Sequence, residues 1–287
     1  MASKRVAVIG ASGYGGLQTL RLLQGHPSLE VSFLGGERSS GKRWSELTPF
    51  LPLPGDPVVQ SPDPDAIAAA ADLAVLSLPN GLASTLVPPL LERGVKVVDL
   101  SADYRYSALE QWKEVYSTEA RQFPRSDAEL CQEAVYGLVE WEQERIREAR
   151  LVAAPGCFPT ASLLGLLPFL KQGLIDTSGI VIAAKTVDND GKLKGTIYEA
   201  AEAVNAAGGR GLALQVDVRD EARVAEAVAQ AADHFGGIDC LVNNAGAIML
   251  MPVEHLPVKR FDLVFGLNVR APYLLAQACI PHLRKSS

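Results

Sequence analysis

Short apolar runs alternate along this chain with stretches in which apolar side chains return every three or four positions. The runs at 6–9, 31–35, 73–78, 95–100, 151–154, 180–184, 211–216 and 238–243 predict buried strands, since a strand covered on both faces reads as an uninterrupted apolar segment. A helical rhythm at 13–24, 83–93, 140–149, 160–172, 196–207 and 221–235 predicts helices. Residues 258–284 predict a longer, mostly helical stretch, kinked at Pro272 because proline removes an N–H from the ladder. Between 37 and 60 the abundance of Ser, Gly and Pro predicts loop. Strand and helix in alternation point to a parallel α/β sheet.

With 287 residues, 48% of them hydrophobic, the chain can bury the core of one large domain or of two smaller ones. A net charge of -6 and the lack of any long Lys/Arg block argue against a nucleic-acid partner. The first residues lead into a short strand without a signal-peptide pattern. No apolar run approaches the roughly 18 residues a membrane helix needs, so no membrane partner is expected. Cys131, Cys157, Cys240 and Cys279 lie far apart with no C-x-x-C pair. That spacing speaks against a metal site or a disulfide framework and fits a reducing, cytoplasmic location.

Candidate chemistry begins after the first predicted strand. Gly10, Gly13 and Gly16 form G-x-x-G-x-x-G at a strand-to-helix turn, with Ser12, Tyr14 and Gly15 among them. Small residues there let the backbone approach a pyrophosphate, and the helix start offers free N–H groups and positive potential. The same spacing also fits a tight turn with no ligand. The end of the second strand shows no acidic residue for a ribose 2′-hydroxyl; Arg38 and Ser39 come next, then Ser40, Lys42 and Arg43. Cations and hydroxyls in that place favour a 2′-phosphate, hence NADP over NAD, and they equally describe a solvated basic loop.

The stretch 153–162 carries the sharpest site signal. A buried strand ends, Pro155 and Gly156 turn the chain, and Cys157 stands where a helix begins. Pro159 suits the first turn, where its missing N–H would be unpaired anyway. A helix N-terminus favours the nucleophilic thiolate, and the same amides could receive an oxyanion. Cys131, Cys240 and Cys279 read as ordinary buried apolar residues, which remains the alternative for Cys157.

From residue 6 to about 180 the chain resembles N-acetyl-gamma-glutamyl-phosphate reductase. The matching motifs are Gly10-Ala11-Ser12-Gly13-Tyr14-Gly15-Gly16, Val98-Asp99-Leu100-Ser101-Ala102-Asp103-Tyr104-Arg105 and Pro155-Gly156-Cys157-Phe158-Pro159-Thr160, in the family's order and spacing. Tyr136-Gly137-Leu138 with Glu140 resembles a further segment, with Val139 where proline is usual. The resemblance implies an NADP-dependent enzyme of arginine biosynthesis acting on a small-molecule substrate. In such enzymes the cysteine attacks an acyl phosphate and expels phosphate, and hydride from NADPH reduces the thioester to a semialdehyde.

Past residue 180 that resemblance stops, and the family's cysteine-activating histidine finds no counterpart: His234, His255 and His282 lie in other contexts. The rest of the chain resembles a short-chain dehydrogenase of the hydroxysteroid-dehydrogenase-like branch. Ile182-Ala183-Ala184-Lys185-Thr186 is similar to its second strand, Asp217-Val218 to its adenine-contact pair, Asn243-Asn244-Ala245-Gly246 to its sheet-stabilising motif and Asn268 to its helix asparagine. That family's own glycine loop would precede residue 180, and its Tyr-x-x-x-Lys would follow residue 287; no tyrosine here has lysine four positions on.

The expected fold is α/β: a Rossmann-type doubly wound parallel sheet followed by a second, incomplete Rossmann-like βαβαβα segment. The expected domains are an NAD(P)-binding Rossmann domain at 1–155, the start of a truncated reductase catalytic domain at 156–180 and a partial short-chain-dehydrogenase-like segment at 181–287, a fusion joined near 178–182. Turnover is expected to be severely impaired; the alternatives are a short-chain dehydrogenase fragment and a non-catalytic dinucleotide-binding module. In the strand order 3-2-1-4 the second family's first strand is missing. Either the strand at 151–154 fills that gap and makes one continuous sheet, or the second half folds loosely. The helical stretch 258–284 offers a homo-oligomer face or a core element.

Overall fold

The computed structural model describes residues 3–116, 125–173, 180–183, 210–214, 216–243, 245–247 and 253–285. The chain divides into two compact units, Met1–Gly156 and Cys157–Ser287.

In the first unit, β1 (Lys4–Ile9), β2 (Leu29–Gly35), β3 (Leu73–Leu76), β4 (Lys96–Asp99), β5 (Val135–Tyr136) and β6 (Leu151–Ala153) form one sheet in the order β2-β1-β3-β4-β6-β5. Every adjacent pair is parallel. Successive side chains of a strand point to opposite faces. Accordingly Val6 and Val8 join a core with Leu20, Leu34 and Trp44, whereas Ala7 and Ile9 join another with Ile67, Val87 and Leu90. Both faces are therefore covered, as a parallel sheet requires. The chain steps to one side of β1 for β2 and to the other for β3, so the loop after β1 lies at the point where strand order reverses.

Helix α1 (Tyr14–Leu23) follows the glycine loop. The region predicted as loop at 37–60 contains a 3-10 turn, Glu37–Ser39, and a short helix, α2 (Trp44–Leu47). Trp44 drives that departure: it is fully buried, and its indole N–H donates to Leu51 O at 2.6 Å. Helix α3 (Pro64–Ala70) has no counterpart among the predicted elements, although Asp63 caps it by accepting from Ala66 N at 2.8 Å and Pro64 opens it. Helices α4 (Ala83–Glu92) and α7 (Val139–Glu148) fall where the rhythm places them. Between them α5 (Leu109–Tyr116) and α6 (Ala128–Glu133) are short elements whose type the pattern leaves open.

The second unit opens with α8 (Cys157–Lys171). Its strands β7 (Ile180–Ala183) and β8 (Cys240–Asn243) pair in parallel, Ile180 opposite Cys240. Helix Glu221–Phe235 is capped by Asp220, which accepts from the Ala222 and Arg223 amides, and it ends at Gly236 with φ +86°. Its residues Val224 and Val228 pack with Leu267, Leu274, Leu275 and Cys279. Those belong to one helical stretch, Val258–Phe265 and Ala271–Leu283 joined through a π-helical turn at Gly266–Arg270. The irregularity expected at Pro272 is absorbed by this wide turn just before it.

Several expectations are corrected. Residues 211–214 and 216, expected in a strand, carry none among the described residues. The continuous-sheet idea fails: β6 is hydrogen-bonded on both sides, by β4 and β5, and β7 itself stands next to β8, where a first strand would be. Cys240 is exposed rather than buried, since β8 has β7 as its one partner among the described residues. By length and composition the 26-residue stretch Val258–Leu283 is sufficient to cross a membrane, although charged residues interrupt its apolar runs. The helix predicted at 196–207, together with Ala184, Lys185, Thr186 and Asn244, lies outside the described residues.

Candidate functional site

Gly10, Gly15 and Gly16 of the glycine loop are held by contacts that leave no room for side chains at those positions. Gly10 takes φ +78°, and a Cβ there would stand 2.1 Å from Ser77 O. Its N–H donates to Gly35 O at 2.8 Å, and Ala11 N donates to the same oxygen at 3.2 Å, tying the loop to the end of β2. A Cβ on Gly16 would lie 2.3 Å from Gly10 O, and one on Gly15 would lie 2.4 Å from Ser77 Oγ. Gly13 donates to Gly10 O at 3.0 Å and serves as N-cap of α1 with no side chain to offer. The first-turn amides of α1 therefore keep their donors for a ligand, and the chain approaches closely enough for a pyrophosphate to be cradled by backbone alone. Tyr14, the first helical residue, is 82% exposed.

The turn after β2 joins this edge. Ser12 Oγ lies 3.4 Å from Ser39 Oγ, and Ser39 is buried. Arg38 is exposed and has no ion pair among the described residues, whereas Arg43 pairs with Asp56 at 3.7 Å. Thus Gly10, Ser12, Gly13, Gly15, Gly16 and Ser39 meet at one end of the sheet. The absence of an acidic residue is corrected: Glu37 stands just past Gly35 at the head of the 3-10 turn. Ser77 is a further site residue outside the sequence reading; its signal is a small polar residue directly after an apolar strand.

The segment from Asp99 to Arg105 forms a buried polar knot beside this edge. Asp99 accepts from Ser101 N at 2.9 Å and from Ser101 Oγ at 2.7 Å. Burial pushes its carboxyl up to about 6, with the Ser101 hydrogen bonds opposing. Asp103 accepts from Gly81 N at 2.6 Å and Ser84 N at 3.1 Å, so it caps α4 from another loop. Burial raises its carboxyl as well, against those same bonds. Asn80 Oδ1 accepts from Ala102 N at 3.1 Å, and Arg105 Nε donates to Ala154 O at 2.8 Å. Arg125 lies 4.3 Å from the Trp112 ring centroid, pairs with Asp127 at 2.9 Å and donates to Asp103 O at 2.7 Å.

In the second unit, Cys157 is exposed as the first residue of α8. Ser162, on the same helix, is buried with no hydrogen-bond partner for Oγ among the described residues. Asp217 accepts three bonds from Arg219, from its amide at 3.0 Å and from its guanidinium at 3.0 and 2.7 Å, and Asn268 makes two with Ala247, 2.8 and 2.9 Å.

Residues 5–149 match the family model described as semialdehyde dehydrogenase, NAD binding domain. Residues 183–287 match the model described as short chain dehydrogenase. A protein named N-acetyl-gamma-glutamyl-phosphate reductase from Parasynechococcus marenigrum (strain WH8102) is 74% identical over 187 residues, 65% of this chain and 52% of its own length. One of the same name from Synechococcus sp. (strain CC9605) is 72% identical over the same shares. The chain spans about half the length of the curated relatives it matches. A solved short chain dehydrogenase from Mycobacterium thermoresistibile is 48% identical over 36% of this chain and 37% of that one, with a TM-score of 0.33.

Proposed function

The chain belongs, through residues 5–149, to the family of the semialdehyde dehydrogenase NAD-binding domain, and from that premise we propose an NADP-dependent reductase acting on N-acetyl-glutamyl phosphate. The observation that carries the cofactor half is the glycine cradle, where Gly10 and Gly16 exclude any Cβ and α1 lacks a side-chain cap. Gly10, Ser12, Gly13, Tyr14, Gly15 and Gly16 would hold the pyrophosphate, with Arg38 and Ser39 at the 2′-phosphate. NADPH, when bound, supplies hydride.

Cys157 is the proposed nucleophile. Its thiolate would attack the acyl carbon, form a thioester and expel inorganic phosphate; the first-turn amides of α8 would bear the oxyanion charge in passing. Its exposure at the head of a helix supports this role. In domain terms the reading is a nucleotide-binding portion at 1–155, the opening of a reductase catalytic portion at 156–180 and a short-chain-dehydrogenase-like segment at 181–287. Because 183–287 match a different family, no histidine is assigned to activate Cys157, and slow turnover is expected.

The test is phosphate-dependent reduction of NADP by the purified full chain with N-acetylglutamate semialdehyde, beside Cys157→Ser. Activity lost in the variant supports the reading. NADPH binding without turnover in either protein removes the reductase and leaves a dinucleotide-binding module.

A further inference from the structure

Glu37 sits awkwardly with a preference for NADP. An acidic side chain about 20 positions beyond the glycine loop, after the second strand, is the usual partner of a ribose 2′-hydroxyl, and its charge repels a 2′-phosphate. Glu37 occupies that position, next to Arg38 and Ser39 in one turn. Its carboxylate, however, is engaged elsewhere: Ser61 Oγ donates to Glu37 Oε2 at 3.2 Å.

The backbone beneath Ser61 is fixed. Gln60 N donates to Leu34 O at 2.8 Å, Gly36 N donates to Gln60 O at 2.9 Å, and Asp63 N donates to Ser61 O at 2.8 Å. Gly35 and Gln60 form a parallel bridge, so this segment runs along the end of β2 and carries Ser61 to Glu37. Ser39, in the same turn, instead meets Ser12 of the glycine loop at 3.4 Å between hydroxyls. Gly36 permits that packing, since a Cβ on it would lie 2.4 Å from Ser39 Oγ.

We infer that Ser61 is a cofactor-specificity residue: by holding Glu37 it withdraws the carboxylate from the 2′ position and leaves Arg38 and Ser39 to receive a 2′-phosphate. The inference rests on the NADP reading above. It assigns the choice between the two cofactors to a residue on a separate segment from the 3-10 turn that carries Arg38 and Ser39.

The experiment titrates NADPH and NADH into the full chain and into Ser61→Ala, Glu37→Gln and the double variant, following nicotinamide fluorescence. Both residues are exposed, so the variants keep the core intact. Ser61→Ala is expected to lower the NADPH-to-NADH affinity ratio by roughly fivefold, the worth of one exposed charge-assisted hydrogen bond. In the Glu37→Gln background the same change is expected to do nothing. An unchanged ratio in Ser61→Ala, or an equal drop in the Glu37→Gln background, overturns the inference and spares the NADP reading. A wild-type chain that prefers NADH, or binds neither, overturns both.

Discussion

Asp99→Asn should alter how the stability of the first unit depends on pH. Asp99 ends β4 with no exposed surface, and burial lifts its carboxyl from the ordinary 3.8 to about 6. The Ser101 hydroxyl and amide, and the charge of Arg105, oppose that rise, while the charge of Asp103 adds to it. A folded-state value above the unfolded one means the native protein binds the proton more tightly. The stability from Asp99 is then fully present below about 3.8 and is lost as pH rises through about 6. Between about pH 5 and pH 7 the wild type should lose about 1.4 kcal/mol relative to Asp99→Asn, a tenfold change in the unfolding equilibrium. Urea unfolding followed by tryptophan emission measures this in the right place, because Trp44, Trp112 and Trp141 all lie in the first unit. Taking the difference between the two proteins cancels the titration of groups that do not interact with Asp99, and leaves that of Asp99 together with its coupling to Asp103. A stability difference that stays flat across that range would refute the reasoning and mean that the Ser101 bonds offset the burial cost in full.

Three further outcomes are expected from the packing. Gly16→Ala drives a Cβ to 2.3 Å from Gly10 O and 2.7 Å from Ala11 Cα, both backbone; it should cost about 2 kcal/mol or more and weaken NADPH binding, read by the same fluorescence titrations. Arg125→Met removes the charged partner of Asp127 in a mostly buried setting, leaving it the Tyr104 hydroxyl at 2.6 Å, and should destabilise the first unit by about 3 kcal/mol, with a shift in emission of the Trp112 ring it now covers. Leu274→Ala hollows the core of the second unit and should cost about 2–5 kcal/mol, seen as faster amide exchange in helix Glu221–Phe235; unchanged protection there would mean that helix is held by other contacts.

Much of the candidate site is legible in the sequence. The glycine loop announces itself because strand, turn and helix start are consecutive, and the structure joins Gly10, Gly13, Gly15 and Gly16 through hydrogen bonds and close approaches within that short span. The start of α8 at Cys157 is legible for the same reason, a strand end followed by Pro155, Gly156 and a proline-tolerant first turn. Glu37 is itself legible, two residues past the predicted strand end and about 20 beyond the glycine loop, but its hydrogen bond to Ser61 is not, because Ser61 lies on another segment. The knot around Asp99 is visible as a motif, but not that Asp103 caps α4 or that Arg125 closes over Trp112.

The alternation of apolar runs and helical rhythm by itself determined a parallel α/β sheet, because burial on both faces imposes a local period on side chains. It also determined which residues could cradle a phosphate, since a close backbone approach depends on the absence of Cβ atoms at neighbouring positions. Tertiary structure alone decided that β6 inserts between β4 and β5, that β7 lies directly against β8, and that residues 211–214 form no strand. Strand order and pairing depend on backbone hydrogen bonds between segments tens of residues apart, and a local pattern of hydrophobicity does not specify which neighbour will supply them.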